Sequence, residues 1–193
     1  MGIFDTDENK KARPDAALLI VDMITDFEFD DGDRLFGYAL DAAESIRKLK
    51  NEARTAGLPV IYVNDNFGKW HQDFEKIAAC ARETDKGRQI VGLIGPETDD
   101  YFVLKPMHSA FFSTSLEILL DHLKIKKLIL TGITSDICIL FTANDAYMRG
   151  YELYIPGDCV AAVEPEQNEY ALNYMKRVLK ADVRPRPFLS GNT

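Results

Sequence analysis

Six consecutive apolar residues, AALLIV over Ala16–Val21, open the patterned part of the chain. An unbroken run of that kind, without alternation, suits a strand buried on both faces, as in a parallel sheet. Comparable runs recur at PVIYV (59–63), YFVL (101–104), KLILTG (127–132) and YELYI (151–155). Between them the apolar positions return every three or four residues. Leu40, Ala43, Ile46 and Leu49 predict a helix over 38–56, closed by Gly57 with Pro59 behind it. Further helices are predicted at about 72–83, 114–123, 136–149 and 166–180. Strands alternating with helices make right-handed βαβ units, hence an α/β protein with a parallel sheet and helices on both faces. ADV at 181–183 is a candidate sixth strand, and the Gly-rich stretch 84–100 reads as a long loop with room for a short helix.

Length then fixes the organisation. A chain of 193 residues without an internal repeat or linker is one domain, 1–193, with a polar leader (1–13) and a tail (185–193) as surface arms. Lys and Arg total 23 against 31 Asp and Glu, a net charge of -8 without any basic cluster, so no nucleic-acid or anionic-membrane partner is expected. No apolar run approaches the roughly 20 residues of a bilayer span. Cys80, Cys138 and Cys159 lack paired spacing, which argues against a disulfide framework or a thiolate zinc site and predicts a cytoplasmic protein.

Ligands of open parallel sheets bind beyond the carboxyl ends of the strands, where three residues carry chemistry. Asp22 ends AALLIV, Lys105 ends YFVL, and Cys138 lies in GITSDICILF at the start of the helix after KLILTG. Each has a bland reading: a turn cap, a solvated lysine, a small buried hydrophobe. Together they make a nucleophile with its activators. A helix N-terminus and a nearby lysine both lower a thiol pKa. A carboxylate can take the thiol proton and return it to a leaving nitrogen. Backbone N–H groups around Thr134 and Cys138 can form an oxyanion hole, and Ser135 and Asp136 can cap the helix.

LLIVDMITDF, VLKPMHSAF and LTGITSDIC, in that order, resemble the three motifs of the isochorismatase-like cysteine hydrolases, and the resemblance runs from about residue 14 to 183. It implies Asp22 as acid/base, Lys105 as cationic partner, Cys138 as nucleophile and a cis peptide at Ile133–Thr134. It further implies a three-layer, doubly wound α/β/α sandwich with six parallel strands in the order 3-2-1-4-5-6, and a homo-oligomer, dimer or tetramer. That order sets Lys105 two strands, roughly 10 Å, from Asp22, so its stem must lean inward.

The nicotinamidase branch of that family holds a metal with an Asp-x-His pair after its second strand. Here Asp65 is followed at that position by Phe67, with His71 the nearest imidazole and His108 and His122 read as solvated or satisfied. A lone carboxylate makes a poor metal site, so neither metal nor cofactor is expected. Cys138 favours hydrolysis of a carbon–nitrogen bond in a small amide, ureido or carbamoyl substrate through a thioester. Isochorismatase-type vinyl ether cleavage stays open as an alternative, as does a receiver-like binding module in which Cys138 has no role. Phe27, Phe67, Trp70 and Phe112, with Asn64 and Asp65, are the candidate substrate-pocket residues.

Overall fold

The structure, a computed structural model, describes residues 14–66 and 73–185. Five parallel strands run in the order β3-β2-β1-β4-β5: β1 (Ala16–Val21), β2 (Val60–Asp65), β3 (Tyr101–Lys105), β4 (Lys127–Ile133) and β5 (Glu152–Tyr154). A two-residue strand, β6 (Val160–Ala161), pairs with β4 beyond the end of β5. The place expected for a sixth strand at 181–183 is held by a single bridge between Tyr154 and Asp182. Pro156 and Gly157 divert the chain after β5, and its continuation re-enters the sheet beside β4 rather than at the edge. The architecture is otherwise the doubly wound one that the apolar runs predict.

Strand β1 is central, and its pleat sorts the core. Leu18 and Ile20 face a layer built from the helices α1 (Gly32–Thr55), α2 (Phe74–Ala81) and α3 (Asp85–Ile94). Ala17, Leu19 and Val21 face the layer of α4 (Leu116–Leu123), α5 (Leu140–Met148) and α6 (Pro165–Val178). With both faces covered, alternation has nothing to select, which is why AALLIV shows none.

Helix boundaries differ from the sequence pattern in two places. Helix α1 begins at Gly32, six residues before the periodic stretch, because Leu35 and Ala39 are already buried while Gly32 and Gly37 dilute the signal. The stretch 84–100 is not mainly loop: α3 occupies Asp85–Ile94, started by the Thr84 hydroxyl, which accepts the Gly87 N–H at 3.1 Å. After it, buried Asp100 meets Arg54 at 2.5 Å and Lys50 at 3.3 Å, tying the approach to β3 onto α1.

Candidate active site

Asp22, Lys105 and Cys138 meet at the carboxyl ends of β1, β3 and β4. Asp22 follows β1 in a left-handed backbone conformation, φ 53°, which an aspartate tolerates better than most residues. Its N–H donates to the Val63 carbonyl at 2.8 Å, and its Oδ1 accepts the Asp65 N–H at 2.8 Å. The carboxylate is thereby fixed by the neighbouring strand, with Oδ2 left toward the site. The Lys105 stem leans across the end of β2 with no exposed surface and brings Nζ to 2.8 Å from Asp22 Oδ2. The same ammonium stands 3.6 Å from Cys138 Sγ and 3.4 Å from Asp65 Oδ2. The two-strand separation is thus spanned by the long side chain, as the expected order requires.

Cys138 sits in a π-helical turn, Ser135–Ile139, that leads into α5. The Ile139 N–H reaches back five residues to the Thr134 carbonyl at 3.1 Å. The Ile133–Thr134 peptide bond is cis. Gly132, with φ 116°, lets β4 close on β1: a Cβ there would stand 2.0 Å from the Val21 carbonyl oxygen. Ser135 and Asp136 do not cap the turn as expected, since Thr134 is its N-cap and makes no side-chain capping bond. Ser135 Oγ and Asp136 Oδ1 are both buried without a hydrogen-bond partner.

Electrostatics reverse one expectation. The Cys138 thiol is pushed well above its ordinary pKa, first by burial and then by the Asp22 charge, which together outweigh Lys105. A thiol at the start of a helix is therefore not automatically a thiolate. Asp22 is likewise raised by burial, against the opposing Lys105 charge and hydrogen bonds from Cys138, Lys105 and the Asp65 N–H. Burial works against the Lys105 ammonium, but Asp22, then Cys138 and Asp65, overcome it and hold its pKa above the usual value. Burial and the Asp22 charge thus favour the protonated thiol at Cys138, beside the ammonium that Asp22 holds.

Asp22 and Cys138 open on a cavity of about 220 Å³, with Lys105 buried behind them. Its walls are largely apolar, with Phe29, Leu35, Ile133 and Ile137 beside Thr25, Thr134, Asp65 and His108. Of the pocket residues expected from sequence, Asp65 lines this cavity. Phe27 does not: its backbone, at φ 60°, turns the ring into the core against Phe36, and Phe29 takes the place at the wall. Asn64 is fully buried and donates to the Ile24 carbonyl at 2.8 Å, pinning the loop after β1. Phe112 is half exposed and is not among the lining residues. Phe67, Trp70 and His71 lie outside the described residues. His108, read from sequence as solvated or satisfied, stands at the cavity with its ring 5.4 Å from that of Phe141. Its place three residues after Lys105 was the available signal. Among the described residues no group of three or more His, Cys, Asp and Glu side chains is placed to hold a metal, and Asp65 faces Lys105 instead.

A doubly wound α/β protein with an Asp–Lys–Cys cluster at its strand ends is the class that fold and site define. The chain belongs to the isochorismatase family: the Isochorismatase domain model matches residues 16–183. It is a member of a hydrolase family, and three relatives give the range. An isochorismatase family protein of Bacillus subtilis, YaaI, itself uncharacterized, is 46% identical over 89% of this chain and 94% of its own length. The ureidoacrylate amidohydrolase RutB of Stutzerimonas stutzeri is 26% identical over 90% of this chain and 84% of its own. The crystal structure of N-carbamoylsarcosine amidase from Thermoplasma acidophilum superposes with a TM-score of 0.66 at 29% identity, covering 89% of this chain and 96% of that one.

Proposed function

We propose that the protein hydrolyses a carbon–nitrogen bond of a small amide, ureido or carbamoyl compound through a thioester on Cys138. The observation that carries this reading is the single ammonium of Lys105, 2.8 Å from Asp22 and 3.6 Å from Cys138, the two of which line a cavity of about 220 Å³. The names of the amidohydrolase and amidase relatives, which act on ureidoacrylate and N-carbamoylsarcosine, support the same bond class.

Asp22 takes the thiol proton as sulfur attacks the carbonyl carbon, so thiolate exists only during attack. The N–H groups of Thr134 and Cys138 receive the oxyanion. As the tetrahedral intermediate collapses, the carbon–nitrogen bond breaks and Asp22 returns the proton to the leaving nitrogen. Asp22 then deprotonates water, which attacks the thioester carbon, and the departing sulfur recovers the proton from Asp22. Lys105 balances the charge throughout and remains protonated.

A second reading has one observation in its favour: the raised pKa of Asp22 also suits an acid that protonates a vinyl ether, chemistry in which the thiol has no part. An activity screen over small amides, ureido acids and isochorismate, run beside Cys138→Ala, separates the two. The amide reading expects ammonia or amine release, loss of at least about 10³-fold in kcat for Cys138→Ala, Asp22→Asn and Lys105→Ala, and an acyl adduct on Cys138 in quenched wild-type protein. Isochorismate cleavage retained by Cys138→Ala would replace it with the ether reading.

A further inference from the structure

The cavity takes apolar side chains from two separate stretches of chain. Phe29, in the loop after β1, and Leu35, in α1, come from one; Ile133, closing β4, and Ile137, in the π-helical turn, come from the other. Leu35 and Ile133 are buried, whereas Phe29 and Ile137 remain 44% and 40% exposed. A single exposed apolar side chain needs no explanation, but two that wall one cavity leave apolar surface for a ligand to cover. Both are held in place. The Phe29 ring stacks on that of Phe27 at 6.1 Å, and the Phe29 carbonyl accepts the Gly32 N–H at 2.9 Å. The Ile137 N–H donates to the Thr134 carbonyl at 3.3 Å. Several polar atoms of the wall are already engaged. Asp22 Oδ2, Asp65 Oδ2 and Cys138 Sγ stand 2.8, 3.4 and 3.6 Å from the buried Lys105 ammonium, and Thr25 Oγ1 accepts the Phe27 N–H at 3.5 Å. His108 is exposed and sets its ring beside that of Phe141, which is half exposed itself.

We propose that the substrate is a compact, uncharged amide with an apolar acyl group that lies against Phe29 and Ile137, and that these two side chains are specificity residues. The proposal rests on the amide-hydrolase reading and narrows it: within the carbon–nitrogen compounds, ureido and carbamoyl acids become the disfavoured members. A polar or charged acyl end placed against these walls loses water and finds no hydrogen-bond partner on them, whereas an apolar end gains by the same transfer. The acyl part is also the one that stays on sulfur through both steps, so walls that hold it act during attack and during thioester hydrolysis alike. At about 220 Å³ the cavity falls below the roughly 300–1,000 Å³ of pockets for drug-sized ligands, which sets the acyl group at a few carbon atoms.

Three amides on one heavy-atom skeleton form the test: 4-methylpentanamide, succinamide and succinamate, which end in an isopropyl, a carboxamide or a carboxylate group. Their affinities for the Cys138→Ala protein are read by NMR titration. The expected order is 4-methylpentanamide, then succinamide, then succinamate, with at least about a tenfold difference between first and last. Adding Phe29→Ser should weaken 4-methylpentanamide by at least about fivefold and succinamate by less than about twofold, while Phe29→Leu keeps the original order. Ile137→Thr, the matching change on the other stretch of chain, should act in the same direction as Phe29→Ser, and circular dichroism checks the folding of each variant. Succinamate binding as tightly as 4-methylpentanamide overturns the proposal, as does a loss shared equally by the three compounds, an order that neither polar variant alters, or no binding of any of the three. Ammonia release by the wild-type protein is measured in parallel. The expected affinity order without any hydrolysis would count against the amide reading alone, and hydrolysis without that order against the apolar specificity alone.

Discussion

Asp22 and Cys138 are each displaced from their solution behaviour in the same direction, and the leading cause is shared: both lose water, while the Asp22 charge adds to the rise at Cys138 and the Cys138 hydrogen bond opposes the rise at Asp22. The consequence for catalysis has a definite sign. Asp22 must be a carboxylate to accept the thiol proton, and its pKa is raised, so the base form is depleted at a pH where an ordinary aspartate, near 4, is fully ionised. The acid limb of the kcat/KM profile is therefore expected well above pH 4, with activity climbing as the pH rises through the folded value. A profile flat down to about pH 4 would contradict this assignment of Asp22. None of this was legible in the sequence, where a helix start and a nearby lysine argued for a lowered thiol pKa. Burial decides the matter, and burial is a property of the assembled site. The places of the three residues were legible, because Asp22 and Lys105 terminate apolar runs and Cys138 opens the helix after another, which sets all three at the ligand end of a parallel sheet.

At the level of elements, the site depends on how closely β4 approaches β1. Gly132 is required there twice over, by its φ of 116° and by the Val21 carbonyl 2.0 Å from where a Cβ would be. Gly132→Ala should destabilise the protein by more than about 2 kcal/mol. Gly37, inside α1 with nothing within 4 Å of the added methyl, should respond in the opposite direction, gaining about 0.5–1 kcal/mol on replacement by Ala. Urea denaturation of the two variants checks both signs; equal effects would show that helix propensity, not the strand approach, governs. Elements with long uniform patterns, such as β1 and most of α1, were readable in advance. Helix α3 was obscured by Gly87, Gly92 and Gly95, although Gly87 is there because the carbonyls of Ala81 and Thr25 crowd it. The two residues of β6 are too few for any periodicity, and its pairing depends on where the chain turns after β5.

For the whole molecule, the strand order puts Asp22 and Lys105 on the β1–β3 side of the sheet and Cys138 after β4, so neither side alone contains the site. Thiol, carboxylate and backbone donors suffice for the chemistry proposed. We expect purified protein to carry no stoichiometric zinc or iron by elemental analysis, and EDTA dialysis to leave turnover unchanged. Activity that vanishes with the chelator and returns with added metal would mean that a residue outside those described completes a site at Asp65. The half-buried place of the Cys138 thiol, with its pKa held above the ordinary value, has another consequence, for survival under oxidants. Peroxide attacks thiolates, and the route from sulfenic to sulfinic acid begins only once the sulfur is ionised and reachable. A nucleophile generated only while substrate is being attacked spends little time in the vulnerable form. In peroxide-treated resting protein, mass spectrometry should find Cys138 oxidised far more slowly than in protein turning over substrate, so that the enzyme ages by working rather than by waiting.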